Sequence, residues 1–190
     1  MRPKEMADFV RADGPESAIK AVLLSASVAA CKSREEYAAF KYLANAELRT
    51  ASEVFIAGSG NWGFSLDPGN LLRPFGDHSD RDLAVIDEES FLRIWGELRQ
   101  FHRESFYSLS WELREMLRRN GENIYAGFVS PMWIPDRRHP SRGSFLRIMN
   151  RLSNEYVDYK PVKMLLFRNF TEAVDYYKRG VMKLMRHLNI

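Results

Sequence analysis

VFIAGSGNWGFSLDPGNLLRPFGDHSDRDLAVID, residues 54–87, decides how the chain is read. Val54–Ala57 is a short apolar run stopped by Gly58, the pattern of a buried strand. Pro68, Gly69, Pro74 and Gly76 then break the interval, so no long helix fits between this strand and the next. Asp80-Arg81-Asp82 opens a second apolar strand over Leu83–Ile86. Carboxylates one residue apart on a strand face the same side. They repel each other there, and a divalent cation would resolve the conflict. A Gly-Ser turn after the neighbouring strand offers backbone N–H groups suited to phosphate oxygens. The two ends of the stretch together predict a metal–nucleotide site.

On the N-terminal side, residues 1–15 read as a short helix or loose arm, Glu16–Ala30 as a helix rich in small residues, and 34–49 as a second helix. On the C-terminal side, Asp87 and Ser90 are cap candidates for a helix over 89–103. A helix over 108–119 is expected to stop at Asn120-Gly121. Ile124–Val129 reads as a strand, 131–144 as a loop, 144–154 as a helix and Val162–Phe167 as a strand. Thr171 is the expected cap of a last helix whose apolar stripe is Val174, Tyr177, Val181, Leu184 and Leu188. Two helices followed by interspersed strands and helices give an α/β (α+β) fold. The expected architecture is a mixed sheet flanked by helices, with an N-terminal helical extension over 1–50 packed on a core domain over 51–190.

A chain of 190 residues, 45% hydrophobic and 13% aromatic, has enough apolar material for a real core and is not expected to be disordered. Its 28 basic and 25 acidic side chains leave a net charge of +3, which permits a nucleic-acid partner without requiring one. Cys31 has no second cysteine to pair with, which fits a reducing compartment. No apolar run is long enough to span a membrane, and MRPKEMADFVRADG lacks the apolar core of a signal peptide. A soluble cytoplasmic protein with no membrane partner is the expectation. Oligomeric state is not readable.

GSGNWG at 58–63 matches the dinucleotide-binding pattern G-x-G-x-x-G. That fingerprint needs a helix of several turns running on from the third glycine, and Pro68-Gly69 and Pro74 forbid it. The P-loop pattern is mimicked as well, with Ser65 in place, but Phe64 stands where the phosphate-binding lysine belongs. The third reading uses both motifs. FIAGS followed by SDRDLAVI resembles the nucleotidyltransferase superfamily with the DNA polymerase β-like fold, in which an apolar strand, Gly-Ser and a short helix precede Asp-x-Asp at the next strand. GFVSPMWIPDRRHP, residues 127–140, is similar to a bacterial nucleotidyltransferase-like branch. The resemblance covers about residues 50–190. Its interval from Gly58-Ser59 to Asp80 is longer than usual, so LDPGNLLRPFGDH reads as a loop inserted over the site.

The resemblance implies Mg²⁺-dependent transfer of a nucleoside monophosphate from a nucleoside triphosphate to an acceptor, with protein, RNA and small molecule all open. Asp80 and Asp82 are the implied catalytic metal ligands, with one or two ions, and Gly58, Ser59 and Gly60 the implied phosphate holders. The family often draws a third carboxylate from a later strand. VKMLLF at 162–167 has none, and Asp158 is the nearest candidate. His78 is a further candidate beside Asp80, and Arg73 and Arg81 are candidates for meeting phosphate charge. Arg137, Arg138 and Arg142 with His139 form a basic loop, and Trp62, Trp133 and Tyr125 are candidates for stacking on a base. The rival reading is a module of the same fold that binds nucleotide or a protein partner without catalysis.

Overall fold

The computed structural model describes residues 1–189, Pro68 by its backbone alone. Four strands form one mixed sheet in the order β1-β2-β4-β3: β1 is Glu53–Ala57, β2 Arg81–Ile86, β3 Phe128–Val129 and β4 Val162–Phe167. β1 runs antiparallel to β2, β2 parallel to β4, and β3 antiparallel to β4. Alternation along the strands sends side chains to two layers. Phe55, Ala84, Ile86 and Phe167 face one layer, built on α1 (Pro3–Leu23) and α7 (Phe170–His187). Val54, Ile56, Leu83, Val85 and Leu166 face the other. That second layer is built on α2 (Arg34–Glu47), α4 (Glu88–Ser105), α5 (Trp111–Tyr125) and α6 (Pro140–Leu152). The expected α+β fold with a mixed, helix-flanked sheet is the fold observed. The two N-terminal helices lie on opposite faces, and each supplies fully buried side chains, Met6 and Ile19 from α1 and Phe40 from α2.

Several boundaries differ from the sequence reading. α1 begins at Pro3 and bends at Gly14 (φ 80°, ψ 159°) before Pro15. It ends at Leu23 rather than Ala30. Ser25 and Ser27 hydrogen-bond locally, and the backbone N–H groups of Ala29 and Ala30 donate to the carbonyls of Asn61 and Gly60 at 3.0 and 2.8 Å. α5 runs through Asn120-Gly121 to Tyr125, and the chain turns instead at Gly127 (φ 87°). There a Cβ would lie 2.9 Å from that of Glu172. α6 starts earlier than expected, with Pro140 in its first turn, where a missing N–H costs nothing. Asn169, not Thr171, caps α7 by accepting from the Glu172 N–H at 3.0 Å. No helix among the described residues is long and apolar enough to cross a membrane.

Candidate functional site

The antiparallel register sets Ala57 opposite Asp82, so the chain leaving β1 passes directly over that carboxylate. Gly58 makes the turn at φ 59° and ψ −152°. A Cβ added to it would sit 3.0 Å from Asp82 Oδ2. The position therefore needs glycine both for its backbone and for the approach of the acid. The one-turn helix α3 (Ser59–Trp62) follows, with the N–H groups of Asn61 and Trp62 donating to Gly58 O at 3.0 and 3.4 Å. Asn61 Nδ2 ties the turn to Ile56 O at 2.8 Å. The N–H groups of Ser59 and Gly60 have no acceptor among the described residues, as the first donors of a helix generally do not.

Asp82 and Lys163 are paired across β2 and β4, and Lys163 Nζ forms an ion pair with Asp80 Oδ2. Asp80, Asp82 and Lys163 thus make one cluster at the mouth of the sheet, on the α1–α7 face. Burial raises the pKa of the Asp82 carboxyl; Lys163 opposes that rise and Asp80 adds to it. The hydrogen bond to Asp80 raises the pKa of the Lys163 ammonium.

A cavity of 710 Å³ opens beside this cluster, lined by Gly58, Ser59, Asp82 and Lys163 together with residues of β4, α6 and α7. α7 contributes Tyr176, Arg179 and Lys183, so two cations one helical turn apart look into it. Ser65 and the first two residues of the expected loop, Leu66 and Asp67, form part of the wall. Trp62 and Tyr177 meet edge to face at 5.7 Å. Both are buried, and Trp62 Nε1 and Tyr177 Oη find no hydrogen-bond partner among the described residues.

Other candidate residues lie elsewhere. Arg81, between the two acids, points to the opposite face: it is 3% exposed, stacks on Phe75 at 4.4 Å and donates to Ser79 O at 2.8 Å. Asp158 lies on that side too, pairing with Lys32 at 2.9 Å and lying 4.0 Å from Arg81, so it does not join Asp80 and Asp82. His78 is exposed and outside the cavity lining, and Arg73 is exposed as well. Gly60 is buried, and its missing Cβ is explained by Ile56 at 3.2 Å and Ala30 at 3.4 Å rather than by room for a ligand. Arg142 is occupied with the carbonyls of Met132 and Ile134 at 3.2 and 2.5 Å, whereas Arg137 and Arg138 are exposed. Trp133 lines the cavity, but Tyr125 is 96% exposed on another surface. Lys163, Tyr176, Arg179 and Lys183 escaped the sequence reading. Lys163 carried one signal, a lone charge inside an apolar strand.

No family model, curated protein or solved structure matches this chain.

Among the described residues, no group of three or more His, Cys, Asp or Glu side chains converges as a metal cage. Mg²⁺ does not need one, since it takes one or two protein carboxylates and completes its shell with phosphate oxygens and water. Asp82 lines a cavity that also holds Ser59, Arg179 and Lys183, and Asp80 is joined to that lining through Lys163; the two acids fit that donor set.

Proposed function

We propose that this chain is a Mg²⁺-dependent nucleotidyltransferase, moving a nucleoside monophosphate from a nucleoside triphosphate to an acceptor hydroxyl on a protein, an RNA or a small molecule. One observation carries the reading: the Gly58-Ser59 turn and the Asp82 carboxylate, remote in sequence, meet at the edge of a cavity of 710 Å³. That volume lies within the range of small-molecule sites. The unpaired N–H group of Ser59 and the Ser59 hydroxyl hold the phosphate tail. Arg179 and Lys183 balance its charge from across the cavity. Asp80 and Asp82 hold the cation, which when bound polarises the α-phosphate and neutralises charge on the leaving group. Residues on opposing walls keep the triphosphate in line with the incoming acceptor oxygen. That oxygen forms a bond to the α-phosphorus, the α–β bridging bond breaks, pyrophosphate departs and the acceptor proton is lost to water.

The test is transfer of label from an α-labelled nucleoside triphosphate to the chain itself, to cellular RNA or to cellular protein in the presence of Mg²⁺. Asp80→Asn and Asp82→Asn are each expected to lower incorporation by at least about a hundredfold. Incorporation that persists in both, or that no acceptor pool supports with wild type, overturns the reading.

A second reading is favoured by β4, the later strand from which the resemblance implies a third acid, where the one charged residue is Lys163, in register with Asp82. In this reading the chain binds nucleotide without turnover. Triphosphate binding by calorimetry with no transfer to any acceptor would select it.

A further inference from the structure

Lys163 is the only charged residue of β4, and its ammonium touches one of the two acids of the site and faces the other. The cavity at its side is lined by Asp82 and, from α7, by Arg179 and Lys183.

We propose that Lys163 is a tethered counter-cation that holds free divalent ions off the Asp80–Asp82 pair. This rests on the metal-dependent reading above. Two carboxylates with one of them half-buried need positive charge, and the chain supplies it from its own β4. A divalent ion taking the same oxygens meets the ammonium at contact range. The ammonium and the ion carry like charge and repel, the more strongly because the ion is doubly charged. Binding of the ion therefore requires Lys163 to leave Asp80. Its side chain is 65% exposed and its four-carbon stem is flexible, so it can swing into solvent, but the ion pair is lost in doing so. The apparent affinity of the free ion is reduced accordingly.

Mn²⁺ titration by calorimetry, without nucleotide, measures this directly. Lys163→Met keeps the length of the side chain and removes its charge, and Lys163→Gln does the same with a polar end. Both variants are expected to bind Mn²⁺ at least about tenfold more tightly than wild type, in line with the effect of one neighbouring charge. Adding Asp80→Asn to Lys163→Met is expected to cancel the gain. Mn²⁺ affinity in the folded variants equal to or weaker than that of wild type overturns the counter-cation role, whether or not label transfer is seen. A gain that survives Asp80→Asn overturns it as well. A gain in Mn²⁺ affinity that Asp80→Asn cancels, with no transfer by any form of the protein, supports the counter-cation role and removes nucleotidyl transfer.

Discussion

Gly58 answers two demands at once, a positive φ and room for the Asp82 carboxylate. Gly58→Ala is expected to cost about 1–3 kcal/mol for a positive-φ backbone that only glycine adopts readily, and to push the acid out of place besides. Denaturant unfolding reads the first effect and triphosphate binding the second; an unchanged midpoint with unchanged binding would show that the turn adapts freely. At this scale the meeting of Gly58, Ser59 and Asp82 was legible because each sits in a short motif at a strand end. Arg81 was legible in principle, since alternation sends the residue between two site acids to the other face. Lys163 was legible only as a lone charge inside an apolar strand, not as a neighbour of Asp82. Its place opposite Asp82 is fixed by the pairing of two strands far apart in the chain, and nothing in VKMLLF announces that register.

Elements whose apolar pattern has a single reading were found where expected, β4 over Val162–Phe167 among them. Misread boundaries have a common cause, in that a local signal was overruled by packing. Asn120-Gly121 is a frequent helix stop, yet α5 continues because Leu117 and Asn120 are buried and Ile124 packs against the same core. Gly121 then lies inside a helix with nothing within 4 Å of where a Cβ would be. Gly121→Ala is therefore expected to stabilise the protein by about 0.5–1 kcal/mol, read as a rise in the unfolding midpoint. A fall would mean that the glycine is needed for a contact this chain makes elsewhere. α1 shows the same conflict in reverse: an Ala-rich run with good helix propensity gives way where Ala29 and Ala30 bond to the α3 turn. The backbone of the site is thereby fastened to the N-terminal segment.

At the scale of the molecule, the sheet is the middle of three layers, and the N-terminal fifty residues supply part of both outer ones. α1 packs against α7 and covers the face of β1 and β2 that carries Phe55 and Ala84. Removing residues 1–23 would strip three fully buried large side chains, Met6, Ile19 and Leu23, from that layer. Each such loss costs about 2–5 kcal/mol, against a total stability of about 5–15 kcal/mol for a typical domain. The shortened chain is expected to lack a cooperative thermal transition. A sharp transition near that of the full chain would show α1 to be dispensable. A helix-flanked sheet, but not this dependence, could be read from the sequence, because an apolar pattern interrupted by Gly14 and Pro15 does not reveal which partner the helix will meet.

The contact between α1 and α7 also bears on the birth of the protein at the ribosome. α1 is made well before α7, so its oily side stays uncovered until α7 follows, and contacts so distant along the chain form late. Until then that side is open to chaperones and to other nascent chains. The cavity wall carrying Arg179 and Lys183 arrives at the same moment, so the cavity is complete only once α7 has been made.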